Sequence, residues 1–278
     1  MSRAPWTPGP AWLFCPADRP DRYPKALACA DVVVLDLEDA VAPDGKAAAR
    51  ASLRALAQAG TLDLDRTVVR VNAASSAEHL ADVEVLRETG IPVVMVAKCD
   101  SPGDLSAVAD LASIPLLESS RGIAGAVSIA ASNGVVAVMW GADDLVADLG
   151  GTSSRRGDGS YRDVARHARS TSLLAAKAAG RLAIDAVFMD IADVDGLRAQ
   201  CEDAVAVGFD VTIAIHPTQV PVIRSTYFPS PDEVERAHRL LAAATSGGVT
   251  TFEGRMVDGP IIKQAQRVLL RARSQGER

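Results

Sequence analysis

No Cys-x-x-Cys pair occurs in this chain of 278 residues, and its four cysteines, Cys15, Cys29, Cys99 and Cys201, are scattered. That spacing supports neither a disulfide frame nor a zinc site, and it predicts reduced thiols in a cytoplasmic protein. The N-terminal stretch MSRAPWTPGPAW lacks the apolar centre of a secretory signal, and no apolar run approaches membrane-spanning length. Positive charge is not in excess: 29 Lys and Arg stand against 35 Asp and Glu, a net charge of −6. Neither a nucleic-acid nor a membrane surface is expected, and an anionic ligand would need locally placed Arg and Lys. No GxGxxG follows a strand-like run and no GxxxxGK[ST] occurs, so the nucleotide-binding folds lose support. GxSxG is absent as well, which removes the nucleophile-elbow hydrolases.

What the chain does have is an alternation. Runs rich in Val, Ile and Leu lie at 11–15, 31–37, 66–72, 91–98, 114–118, 134–141, 184–190 and 211–216. Between them lie Ala-rich amphipathic stretches such as KAAARASLRALAQ and VDGLRAQCEDAVAVG. Continuous apolar strands alternating with helices indicate a parallel sheet covered on both faces, and eight such units indicate a closed (β/α)8 TIM barrel. Two stretches exceed a minimal barrel. GGTSSRRGDGSYRD (150–163) reads as a long loop over the site. From Pro229 onward, SPDEVERAHRLLAAA and PIIKQAQRVLLRARS read as helices flanking a loop or short hairpin, SGGVTTFEGRMVDGP. The expected organisation is a barrel over 1–228 and a C-terminal helical extension over 229–278. The apolar faces of that extension (Val234, Leu240, Leu241, Ile261, Ile262 and Val268 to Leu270) must be buried on the barrel or on a neighbouring molecule.

Seven of the eight runs end in charged or polar groups: Asp36, Glu38 and Asp39; Arg70 and Asn72; Lys98; Glu118; Asp143 and Asp144; Asp190; and His216. A parallel barrel collects its catalytic groups at the carboxyl ends of its strands. Glu118 and Asp144, on adjacent strands, are a candidate pair of Mg²⁺ ligands, with helix capping as the alternative. The cluster of Asp36, Glu38 and Asp39 would repel itself without a cation. It either holds metal-bound waters or pairs with Arg19, Arg22, Lys46 or Arg50. Arg70, inside an apolar strand, needs an anionic partner, either a site acid or a substrate oxygen. His216 could serve as a base or as a structural donor. Lys98 could form a Schiff base, although nearby acids would keep it protonated. Arg19, Arg22 and Lys25 suit phosphates at a barrel mouth, or else pair with Asp18 and Asp21.

In order along the chain, LFCPADRPDRYPKA, VVVLDLEDAVAPDGKAAAR, VRVN, LLESSRG, VMWGADDLVADLGG, IDAVFMDI, FDVTIAIHPTQV, SPDEVERAHRLLAA and FEGRMVDGP resemble the citrate lyase beta-subunit-like branch of the HpcH/HpaI aldolase superfamily. The resemblance implies a TIM barrel that binds Mg²⁺ through Glu118 and Asp144. It implies that Arg70 faces a substrate carboxylate or enolate oxygen and that Arg19 and Lys25 contact coenzyme A. It also implies a homotrimer in which Asp258 of the tail enters a neighbour's site as acid/base. Asp36 and Glu38 stand with Arg70 and Asp258 as the candidate catalytic residues. The expected activity is Mg²⁺-dependent carbon–carbon cleavage of a 3-hydroxyacyl-CoA thioester of the malyl, citramalyl or 3-hydroxy-3-methylglutaryl type, with synthase or thioesterase chemistry at the same site. An acyl-carrier-protein thioester and a free-acid aldolase reaction are the alternatives. The free-acid enzymes carry a His after the second strand; LEDAV stands there in this chain.

Overall fold

The structure is a computed structural model that describes residues 8–244 and 250–276. The expectations for the N-terminal stretch 1–7 and for residues 246–249 of the tail loop lie outside the described residues. The chain divides into two compact units, Met1–Ile223 and Arg224–Arg278.

The first unit is the expected closed barrel, with eight strands in sequence order, β1 (Ala11–Pro16), β2 (Val32–Asp36), β3 (Thr67–Val71), β4 (Val93–Val96), β5 (Ala112–Leu117), β6 (Ala137–Trp140), β7 (Leu182–Asp185) and β8 (Val211–Ala214). All neighbours pair in parallel, and β8 returns to β1. Side chains alternate along a strand, so one parity lines the barrel interior. Val32 and Val34, Val93 and Met95, Ile114 and Leu116, Ala137 and Met139, and Val211 and Ile213 form that packed interior, with Trp12, Val68 and Ile184.

The outer helices include α1 (Tyr23–Cys29), α2 (Lys46–Gln58), α3 (His79–Thr89), α4 (Ser120–Ala124), α5 (Ala126–Ala130), α6 (Ala142–Asp148), α7 (Asp163–Ala178), α8 (Val194–Val207) and α9 (Gln219–Tyr227). Two of the stretches between strands are not single α-helices. PGDLSAV is a 3₁₀ segment held by a capping box of Ser101 and Asp104, and RGIAGAVSIAAS breaks at Gly125 into α4 and α5. The loop after α6 is well tied: Ser154 Oγ donates to Asp143 Oδ1 at 2.7 Å, and the Arg155 guanidinium stacks 3.9 Å from the Tyr161 ring.

Strand seven is displaced from its expected place. It ends at Asp185, and Asp190, expected to close it, is exposed in a turn where its carboxylate accepts the Ala192 amide. The physical reason is Asp185 itself. It is fully buried, accepts Trp140 Nε1–H at 2.7 Å and takes Arg169 of α7 through both oxygens. A buried carboxylate so anchored fixes the strand end.

In the second unit, the expected helix of SPDEVERAHRLLAAA is α10 (Pro231–Ala243), which opens with a capping box of Ser230 and Glu233. A hairpin of β9 (Thr250–Phe252) and β10 (Arg255–Val257) leads to α11 (Gly259–Gly276). The faces expected to need another surface largely cover one another. Leu240, Leu241, Ile261, Ile262, Val268 and Leu269 pack with Ala237, Val257 and Ala265, while Met256 and Leu270 stay exposed. Two amphipathic helices joined by a hairpin can close their own small core. Among the described residues, no helix is long and apolar enough to cross a membrane.

Candidate active site

The interior parity of the barrel continues past its hydrophobic layers and delivers the polar ones. Val32, Val34 and Asp36 share a face of β2, Val68 and Arg70 a face of β3, and Ile114 and Leu116 lead to Glu118 just beyond β5. The pairing register places Asp36 directly opposite Arg70. The two form a bidentate pair, Nε to Oδ1 at 2.7 Å and Nη2 to Oδ2 at 2.6 Å. Phe14 of β1 lies beneath, its ring centroid 4.7 Å from the guanidinium carbon. Burial opposes the charge on Arg70, but Asp36 outweighs it, and the guanidinium is held above its ordinary value.

Asp36 has no oxygen to spare. Oδ1 also accepts the Glu38 amide and Oδ2 the Ala40 amide. Glu38 is buried too, with Oε2 3.2 Å from Arg70 Nη1 and Oε1 paired with Lys98 Nζ. Burial raises its pKa, and Arg70 and Lys98 only partly offset that. The partners of this acid cluster are therefore Arg70 and Lys98, not the expected Arg19, Arg22, Lys46 or Arg50. The reason is topological: β3 and β4 bring Arg70 and Lys98 to the same barrel end. Lys46, at the start of α2, instead donates to Leu37 O, Glu38 O and Asn72 Oδ1, at 2.7, 2.7 and 2.9 Å. Arg50 pairs with Glu78 and Asp82, and Asp82 accepts both amides of Asn72. Sequence reading missed this clamp, whose signal was a Lys at the first turn of an otherwise Ala-rich helix.

Glu118 is 3% exposed, and its Oε1 accepts the Lys98 backbone amide at 2.9 Å. Burial first, and then the negative charge of Asp144, push its carboxyl up to about 8. Asp144 sits in the first turn of α6, more open, with Oδ1 3.5 Å from Lys98 Nζ. Gly141 was not singled out from sequence. It lies on the interior parity of β6, and a Cβ there would come within 2.7 Å of Glu118 Oε2.

The residues fit Mg²⁺. A buried carboxylate whose ionisation is resisted by burial and by a second carboxylate is relieved of both penalties by a dication between them. Among the described residues, no group of three or more His, Cys, Asp or Glu side chains forms a fuller cage. Such an open two-carboxylate site leaves positions for water and substrate oxygens, as Mg²⁺ prefers.

The other expected residues are placed as follows. Lys98 is held well protonated, since the acids around it overcome its burial, which disfavours an amine nucleophile. His216 Nδ1 bonds the Thr218 hydroxyl at 2.8 Å. Arg19 is exposed and pairs with Asp21 at 3.0 Å, and Lys25 is exposed on α1. Asp258 lies in the second unit before α11, where its Oδ1 accepts the Ile261 amide at 3.4 Å. The buried thiols of Cys15, Cys99 and Cys201 are pushed up by burial, to about 11, 12 and 12, so none is a ready nucleophile.

Residues 11–217 match the HpcH/HpaI aldolase/citrate lyase model. The chain belongs to that family. It is 54% identical over 265 residues to the citrate lyase subunit beta-like protein of Mycobacterium tuberculosis, covering 95% of this chain and 96% of the relative. It is 33% identical to the (3S)-malyl-CoA thioesterase of Cereibacter sphaeroides, over 94% and 93% of the two chains. The crystal structure of the M. tuberculosis CitE protein in complex with magnesium, acetoacetate and coenzyme A matches with a TM-score of 0.91 and 53% identity, over 96% of this chain and 99% of that one.

Proposed function

We propose that this family member is a Mg²⁺-dependent carbon–carbon lyase that cleaves a 3-hydroxyacyl-CoA thioester bearing a second carboxylate to an oxo acid and an acyl-CoA. The observation that carries the reading is the grouping of Glu118, Asp144 and Arg70 at one end of the barrel, a dication site beside a fixed guanidinium. The magnesium, acetoacetate and coenzyme A held by the M. tuberculosis CitE protein support it.

Glu118 and Asp144 would hold Mg²⁺, which supplies Lewis acidity toward the hydroxyl and carboxylate oxygens of the substrate. Arg70 donates hydrogen bonds to the oxygen on which negative charge develops as the C–C bond breaks. Its guanidinium is fixed in advance by Asp36, Glu38 and Phe14, so little reorganisation accompanies the reaction. Asp36 and Glu38 are in this reading positioning residues, because their oxygens are engaged with Arg70, Lys98 and backbone amides. Arg19 and Lys25, on the segment after β1, would reach the phosphates of coenzyme A, with Arg19 leaving Asp21 to do so. Asp258 would protonate the enolate carbon of the departing acyl-CoA. It would come from a neighbouring protomer of a homotrimer, with residues 229–278 acting as the lid. The reduced thiols suit a cytoplasmic setting.

A second reading has a specific support. The (3S)-malyl-CoA thioesterase relative implies that the same site can pass an acyl-CoA on to water. The test is a panel of malyl-, citramalyl- and 3-hydroxy-3-methylglutaryl-CoA with Mg²⁺, with products identified by mass. An oxo acid plus acyl-CoA, suppressed by chelator, is expected. Free coenzyme A with the intact hydroxy acid would favour the thioesterase, and no turnover of any panel member would overturn both.

A further inference from the structure

Lys98 carries a left-handed backbone, φ +48°, shared among the described non-glycine residues only with Glu253. A bulky side chain does not adopt that conformation without restraint. The restraints are visible on both sides. The Lys98 amide donates to Glu118 Oε1, and the Cys99 amide donates to Leu116 O at 3.0 Å. The Asp100 and Ser101 amides share Asp104 Oδ2, at 2.7 and 2.9 Å. Gly122 lies so close below that a Cβ on it would meet Cys99 O at 2.5 Å. The backbone is thus forced into a conformation that sends the Lys98 ammonium toward the acids.

There the ammonium joins two groups of carboxylates that the barrel otherwise keeps on separate strands. It contacts Glu38 and lies 3.2 Å from Asp39, both after β2, and 3.5 Å from Asp144 at the start of α6. Arg70 is already committed to Asp36 and Glu38. Lys98 is then the more open positive charge of the cluster, its side chain 37% exposed against 11% for Arg70. A dication between Glu118 and Asp144 meets this ammonium at close range, where like charges repel strongly in a partly buried site.

We infer that Lys98 is a positioning residue that sets the divalent-cation affinity of the site, its ammonium being a resident competitor for the charge of Asp144 and the acids beside it. The inference rests on Glu118 and Asp144 being the Mg²⁺ ligands. The ammonium satisfies the acids when no dication is present and keeps the cation exchangeable when one is. Loss of its charge removes a cation from beside Glu38, Asp39 and Asp144 and deepens the well for Mg²⁺.

The test is calorimetric titration of Mg²⁺ alone into wild type, Lys98→Met, Lys98→Gln and Lys98→Arg, without substrate. The two neutral variants are expected to bind Mg²⁺ about tenfold or more tightly. The Arg variant, which keeps the charge, is expected to stay within about threefold of wild type. Unchanged or weaker binding in both neutral variants overturns the inference. So does an Arg variant that shifts as far as the neutral ones, since geometry and not charge would then be responsible. Thermal melts accompany each titration, and loss of the melting transition in both neutral variants also overturns it, because Lys98 would then be needed for the fold itself. A wild type that binds no Mg²⁺ fails the underlying metal reading. Wild-type binding with unchanged variants fails this inference alone.

Discussion

Glu118 and Gly141 stand side by side one residue beyond the last paired rung between β5 and β6, Leu117 opposite Trp140. A methyl group on Gly141 would sit 2.7 Å from Oε2 and 2.8 Å from Cβ of Glu118, so the carboxylate occupies space that only glycine leaves open. The proposed metal ligand is therefore defined as much by its neighbour as by its own strand.

Gly141→Ala is accordingly expected to displace Glu118 and weaken Mg²⁺ binding about tenfold or more. Overpacking of this kind costs about 1–3 kcal/mol of stability, which a thermal melt would register. Calorimetry with Mg²⁺ provides the second readout. Wild-type affinity together with a wild-type melting temperature would mean that the close approach has no bearing on the site.

The pH dependence of Glu118 has a defined sign. Burial and the charge of Asp144 raise its carboxyl from 4.5 to about 8. Between those values the folded, metal-free protein keeps a proton that the unfolded chain has released. The contribution of this group to stability therefore falls as pH rises from about 4.5 to about 8, and the loss persists above. Glu118→Gln removes the titration. The metal-free variant is expected to melt above wild type at about pH 8.5, with the difference closing below about pH 5. Mg²⁺ must displace the same proton, so wild-type affinity should weaken below about pH 8, approaching about tenfold per pH unit. An affinity that is flat between about pH 6 and 8 contradicts the assignment.

Asp258→Ala is expected to bind Mg²⁺ and coenzyme A normally and to lose turnover. Arg70→Ala is expected to lose turnover through its own strand end. If Asp258 serves a neighbour, mixing the two variants under conditions of subunit exchange creates some sites with an intact Arg70 from one chain and an intact Asp258 from the other. Partial recovery of activity is the expected result. Exchange verified by mass, with no recovery, would place Asp258 within its own chain's site or outside catalysis.

The barrel was legible because its strands are buried on both faces and read as unbroken Val-, Ile- and Leu-rich runs, with period-2 parity carrying Asp36, Arg70 and Glu118 to one end. Legibility failed where a polar residue ended a strand by burial instead of by exposure. The run at 184–190 reads as one strand closed by Asp190; the contacts that end it at Asp185 instead, Trp140 Nε1 and Arg169, come from residues 45 and 16 positions away. The partners of Glu38 were misjudged for the same reason. Nearness in sequence favoured Lys46 and Arg50, whereas the barrel brings in Lys98, 60 residues on. Gly141 carried no signal until the register of β5 and β6 was known. The tail helices were recognised from their cap and apolar faces, but no periodicity could tell that those faces would cover each other.

The Lys46 clamp has one more consequence. Its ammonium is bound to two backbone carbonyls and one side-chain amide oxygen, and none of these acceptors carries a proton that comes and goes with pH. The Glu118 carboxyl, raised to about 8, changes charge near neutrality, yet at these three points the peptide segment that bears Glu38 is fastened by bonds indifferent to that change. A change of charge at Glu118 then leaves the three bonds of the Lys46 clamp in place, so the fastening of the Glu38 segment by Lys46 is separate from the group that responds to acidity.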